Sequence, residues 1–301
     1  MKPGRIELRL GQSMLAATTG HVAECPDLGP ACQGSTPPVP YNHHIDLFMS
    51  ETTLEASYGI TPFLAAEVRL SLRVTGVTPT YSELDGTPKL VPNDIHHHDV
   101  TLVGPGDPWL SVRLGAQAGK LVTTARLGFS LPLGRTEPDP YALAAEGQWH
   151  EHMQFGTGTF LPLIGAGASY SLDPVEISAS ALGLFSVGEN SHGYRAPSRY
   201  FFVTRGVLSL LDGDLRPNVN LGLAHETEEL WQGRPGLEGT TVRTDLLAGA
   251  GIAWRFADPW TLELGVRARL AQLTNAASFD YPGILELSLS RHFDTLDEES
   301  R

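Results

Sequence analysis

The property that most limits what this chain can fold into is a two-residue hydrophobic period. Leu64, Ala66, Val68, Leu70, Leu72 and Val74 alternate with Glu67, Arg69, Ser71 and Arg73. Successive side chains of a strand point to opposite faces, so this stretch has one wholly apolar face and one carrying two arginines and a glutamate. The period recurs. Val242, Thr244, Leu246, Ala248, Ala250, Ile252, Trp254 and Phe256 oppose Arg243, Asp245, Gly249, Gly251 and Arg255. Trp260, Leu262, Leu264, Val266, Ala268 and Leu270 then oppose Glu263, Gly265, Arg267 and Arg269. Helical spacing is nearly absent.

Segments of this kind lie near residues 5–15, 44–58, 62–74, 99–116, 119–132, 155–171, 174–187, 199–211, 214–226, 241–256, 259–272 and 283–293. That makes about twelve strands. Their connections alternate between short turns, such as Tyr58 to Pro62, Ala116 to Gly119 and Ala257 to Pro259, and long polar stretches. Strands of about 11 to 17 residues exceed the globular norm of about 5 to 6, and short turns facing long loops is the asymmetry of a membrane barrel. The pattern predicts an all-β fold: a closed antiparallel transmembrane β-barrel of about 12 strands, with short periplasmic turns and long extracellular loops. It would fill residues 1–293 as one domain, with 294–301 as an acidic tail. The alternative that also produces alternating strands is a soluble secreted β-sandwich binding protein. Aromatics near strand ends, including Tyr58, Phe63, Trp109, Tyr170, Tyr200, Phe202, Trp254, Phe256, Trp260 and Phe293, fit an interfacial girdle.

Composition removes other classes. No apolar run reaches the 18 or so residues a spanning helix needs. Acidic residues outnumber basic ones, 34 to 21, with no Lys/Arg block, which argues against nucleic acid as a partner. Neither GxSxG nor HExxH occurs, so no enzyme is read here. Cys25 and Cys32, in a Pro/Gly-rich stretch, are read as a small loop disulfide before a metal site, which favours an oxidising compartment. Met1 to Arg5 do not open a signal peptide, so either the start is truncated or processed, or export is wrong.

The last strand, Ile284 to Phe293, carries Leu285, Leu287, Leu289 and Phe293 on one parity and looks like the closing strand that the bacterial barrel-assembly machinery reads. Three further segments become informative together: Glu55-Ala56-Ser57-Tyr58-Gly59-Ile60-Thr61, Gly104-Pro105-Gly106-Asp107-Pro108-Trp109-Leu110, and Phe155-Gly156-Thr157-Gly158-Thr159-Phe160-Leu161-Pro162-Leu163. In order and spacing they resemble the xYGIT hairpin, the GxGDxxL strand and the GTGxxxPL strand of outer-membrane transporters in the MetA-pathway phenol-degradation family. The resemblance runs from about Ile45 to Phe293. It implies a transporter-like barrel in the bacterial outer membrane, in contact with its lipid, for small aromatic or apolar solutes, and it carries over no catalytic residue.

If the apolar parity faces lipid, the lumen receives Glu51, Glu55, Glu67, Arg69, Arg73, Arg113, Arg126, Glu176, Arg205, Arg243, Asp245, Glu263, Arg267, Arg269 and Glu286. Twelve strands enclose less than the 16 to 18 of an aqueous porin, so a narrow charged lumen is expected, either as a filter for a small solute or as structural ion pairs. Ten of eleven histidines fall in or beside the long connections. His43, His44, His96, His97, His98, His150 and His152 are candidate ligands for a divalent metal such as zinc, copper or nickel, with Asp46, Asp99 or Glu151 as carboxylate partners. A non-conducting barrel whose His-bearing rim binds metal or a surface partner is therefore the second functional reading. No other cofactor is implied.

Overall fold

The computed structural model describes residues 2–23, 40–90, 98–236, 242–274 and 279–295. Cys25, Cys32, His96 and His97 lie outside the described residues, as does the acidic tail after Thr295.

The alternating segments form strands β1 (Arg5–Ala23), β2 (Tyr41–Thr61), β3 (Leu64–Ser82), β4 (Val100–Pro105), β5 (Trp109–Ala118), β6 (Leu121–Ser130), β7 (Leu161–Ser171) and β8 (Val175–Leu184). They continue through β9 (Tyr194–Arg195), β10 (Arg199–Leu208), β11 (Leu215–Glu226), β12 (Leu230–Trp231), β13 (Arg234–Pro235), β14 (Arg243–Ala257), β15 (Trp260–Gln272) and β16 (Gly283–Asp294). One sheet runs β2-β1-β16-β15-β14-β11-β10-β8-β7-β6-β5-β3-β4, and β2 also pairs with β3, which closes it on itself. The chain ends meet where β1 pairs antiparallel with β16, Arg5 opposite Asp294 through Leu15 opposite Ile284. β5 pairs with β3 from Leu64 to Arg69, and β4 takes over from Leu72 to Val77, so the two are halves of one stave and the barrel has twelve. Closure leaves each stave hydrogen-bonded on both sides over its central stretch, which a hydrocarbon surrounding demands. No helix among the described residues is long and apolar enough to cross a membrane.

The apolar parity points outward. Leu10 is 53% exposed, Ile177 53% and Leu264 48%, and a band of such residues circles the barrel where water would make it costly and lipid makes it favourable. Tyr58, Phe63, Tyr170, Phe202, Trp254 and Phe256 are exposed on this outer face. Trp109 is a correction to the girdle reading: it falls on the inward parity of β5, where the Arg69 guanidinium stacks over its ring at 4.7 Å.

Strand bounds differ from the periodicity where hydrogen bonding and hydropathy part company. β1, β2 and β3 run 19, 21 and 19 residues and continue beyond the point where alternation fades, because they pair with one another as far as Ala23 opposite Tyr41 and Asn42 opposite Ser82. The expected strand 99–116 is interrupted at Gly106 to Pro108, and the one expected from 155 begins at Leu161. In the long loops, β9, β12 and β13 make a separate three-stranded sheet. A short helix, α1 (Pro140–Ala145), is capped by Asp139, whose carboxylate accepts the N–H groups of Tyr141 and Ala142. Neither element has a two-residue signal long enough to read.

Candidate functional site: the charged lumen

Because side chains alternate, the residues between the lipid-facing ones line the lumen. The structure places Glu51, Glu55, Glu67, Arg69, Arg73, Arg113, Arg126, Glu176, Arg205, Glu263, Arg267 and Glu286 on the inward parity of their strands. On the stave side formed by β2, β3, β5 and β6, Glu51 accepts from Arg69 at 3.2 Å and Arg73 at 3.1 Å. Glu67 in turn sits 3.0 Å from Arg113 and 2.8 Å from Arg126. Arg267 on β15 donates to Glu286 on β16 at 3.0 Å, past β1 in the ring. These side chains keep part of their surface open to the lumen, so each pair is partly screened.

One group of three crosses the interior. The carboxylate of Glu263 on β15 lies 2.6 Å from Arg205 on β10, past β14 and β11, and 3.1 Å from Arg9 on β1, past β16. Two cavities meet at Arg9, Glu55 and Arg69. One, of about 230 Å³, lies toward the short turns between Glu7, Glu67, Trp109 and Arg113. The other, of about 480 Å³, holds four arginines (Arg9, Arg69, Arg205, Arg267) and four glutamates (Glu51, Glu55, Glu263, Glu286), with neutral polar walls from Ser13, Thr53, Asn218, Asn220 and Ser288. Its formal charge balances. Arg9 was absent from the lumen residues expected from sequence, although the Leu8 and Leu10 alternation around it gave the signal.

Arg243, Asp245 and Arg269 stand nearer the long-loop end, around an aromatic cluster rather than beside the central cavity. The Tyr281 hydroxyl donates to Asp245 at 3.0 Å; Arg243 stacks over Phe279 at 4.7 Å and Tyr281 at 5.0 Å, and Arg269 over Tyr281 at 4.9 Å. Burial and the neighbouring Asp245 carboxylate push the Tyr281 hydroxyl up to about 12. Ala17, Leu247 and Tyr281 form a buried apolar group, with Leu15, Leu47, Ala224, Phe279 and Ile284 against it. Leu15 and Ile284 also line the larger cavity, so its wall becomes apolar toward the loops.

Two of the three segment motifs meet beside this lumen. Asp107 is buried and accepts from the Gly134 N–H at 2.8 Å, the Thr157 N–H at 2.7 Å and the Thr157 hydroxyl at 2.6 Å. Arg73 donates to the Phe155 carbonyl at 3.1 Å. The GxGD and GTG segments thus tie the longest described loop to the wall.

The histidines divide. His43 packs between Tyr41, Tyr81 and His21, with ring centroids about 5 Å away in each case, while His44 faces out with Nε2 3.3 Å from Asp46. Elsewhere, Trp149 donates to His98 at 2.7 Å, His98 lies 3.6 Å from Glu151, and the rings of His150 and His152 are 5.1 Å apart. Among the described residues no group of three or more His, Cys, Asp or Glu is arranged to hold a metal ion.

No family model and no curated protein matches the chain. Its fold is similar to that of an outer-membrane channel from Pseudomonas putida F1, with a TM-score of 0.63 and 14% identity over 97% of each chain. Weaker likenesses are the toluene transporter TodX of P. putida (TM-score 0.46, 9% identity, 99% of this chain and 92% of that one) and the translocator domain of the autotransporter NalP from Neisseria meningitidis (0.46, 11%, 95% and 88%). The protein is a transmembrane barrel of the bacterial outer-membrane kind, the fold that the motif resemblance implies.

Proposed function

We propose that this barrel passes a small solute across the bacterial outer membrane, with its long loops outside, its short turns in the periplasm, and its lumen charges as the filter. The observation that carries this reading is the charge-balanced cavity of about 480 Å³ inside a wall whose outer face is apolar. Paired charges of both signs stay hydrated and orient polar groups of a passing molecule, whereas a barrel built only for stability fills its interior with side chains. The apolar mouth around Leu15, Leu47, Phe279 and Tyr281 supports a solute with an aromatic or aliphatic body. The outward Leu285, Leu287 and Phe293 of β16 support delivery to the membrane through the barrel-assembly machinery.

Conductance of the purified barrel in planar bilayers tests the reading. Discrete channel events are expected in the wild type or in a variant with the lumen opened at Glu263. Silence in both would end it.

A further inference from the structure

We propose that the Glu263 carboxylate is an exchangeable strut, occupying between Arg9 and Arg205 the position that the carboxylate of a small organic acid takes during passage. The inference rests on the passage reading and names the class of solute. Arg205 and Arg9 approach from staves on either side of β15, and Glu263 is the one carboxylate each pairs with among the described residues. An arriving carboxylate offers the same acceptor oxygens to the same two guanidinium groups, so it trades one ion pair for another, and Glu263 turns into the hydrated cavity. A neutral molecule has no such exchange to make. It would have to part the arginines from Glu263 without supplying the charge-assisted hydrogen bonds that the carboxylate made.

The surroundings suit the rest of such a molecule. Leu15 and Ile284 line the cavity and also join the apolar cluster at the mouth, so an apolar body has a wall to follow while its acid group reaches the strut. About 480 Å³ lies within the usual range of small-molecule sites, about 300 to 1,000 Å³. An aromatic monocarboxylate is the simplest fit, and benzoate with its neutral isostere benzamide makes a matched pair of probes.

Single-channel recording in planar bilayers decides it, using the full chain as wild type, E263Q, E263D and R205Q, each checked for folding by its heat-modifiable migration on gels. Benzoate is expected to interrupt the wild-type current in brief blocks and benzamide is not. R205Q should lose the benzoate blocks. E263Q leaves both arginines without their carboxylate and should shift the zero-current potential in a KCl gradient toward that of chloride and lengthen the benzoate blocks. E263D, too short to bridge both arginines, should fall between. Equal blocks by benzoate and benzamide, or benzoate blocks unchanged in R205Q, would overturn the strut and leave the channel standing. Absence of current from every protein would overturn the channel reading and the strut with it.

Discussion

The carboxylate of Asp107 accepts both the backbone N–H and the hydroxyl of Thr157, at 2.7 and 2.6 Å, across fifty residues of chain. With the third bond, from Gly134, it pins both ends of the loop between β6 and β7 to the interruption between β4 and β5. That loop also meets β4 through the Arg135 N–H, which donates to the Pro105 carbonyl at 2.9 Å.

Asp107→Ala should therefore release this loop without unfolding the barrel. Hydrogen bonds to a charged group are worth about 1.5 to 3 kcal/mol each, and the Gly134 and Thr157 N–H groups would be left without an acceptor. Arg135 is the sole trypsin site in residues 131–160. Cleavage after Arg135 is expected to accelerate strongly in Asp107→Ala and less in Asp107→Asn, which keeps one acceptor oxygen. Unchanged proteolysis would show that the loop is held elsewhere.

Gly134 and Gly156 cross backbone to backbone. A Cβ on Gly134 would lie 2.6 Å from the Gly156 Cα and 2.8 Å from the Asp107 nitrogen, neither of which can move independently of the wall. Gly134→Ala should reproduce the loop release expected of Asp107→Ala. Gly188, whose added Cβ meets nothing within 4 Å, is the control, and Gly188→Ala should migrate, resist trypsin and melt like the wild type.

Neighbouring positions on one strand should respond oppositely to charge. Leu221 is 47% exposed on the lipid face, and Asn220 lines the cavity opposite Arg205. Leu221→Arg is expected to cost about 2 to 4 kcal/mol, the range for a midplane arginine on a barrel's lipid face. Asn220→Asp, which brings a carboxylate to Arg205, should fold nearly as well as the wild type. Equilibrium folding in urea into lipid vesicles measures both. Equal losses at the two sites would contradict the assignment of faces.

The small sheet of β9, β12 and β13 forms a cap within the long loops, and it has a built-in pH dependence at Glu229. Its carboxylate accepts from the Tyr194 hydroxyl and the Trp231 indole, each at 3.3 Å, and burial raises its pKa above the ordinary value. A carboxyl group whose folded pKa is raised binds its proton more tightly in the folded state. The cap is then most stable at acid pH and loses stability as pH climbs from the unfolded value through the raised folded one. Glu229→Gln keeps an acceptor oxygen without the charge. It should stabilise the cap at pH 8 and change little at pH 4, read from Trp231 fluorescence during thermal melts. A Glu229→Gln advantage that grows toward acid pH would reverse the assignment.

Much of the barrel was legible from local pattern. The two-residue period follows from the strand backbone itself, so Leu64 to Val74 and Trp260 to Leu270 declare their faces without reference to anything else, and short turns alternating with long loops set the order of staves. The lumen position of Glu67 or Arg267 follows from the same period. What the period cannot contain is any relation between staves that are not neighbours. Arg205 meets Glu263 because the sheet curves through β11 and β14 and is staggered from stave to stave, and both curvature and stagger belong to the closed ring. Asp107 meets Thr157 for a related reason: the interruption at Gly106 to Pro108 opens space that only the loop of another hairpin fills. The chain alone therefore determined which side chains face lipid and which face the interior, through an alternation that each strand carries by itself. The tertiary structure decided which interior charges touch, because that depends on distances across a ring that exists only once β1 has paired with β16.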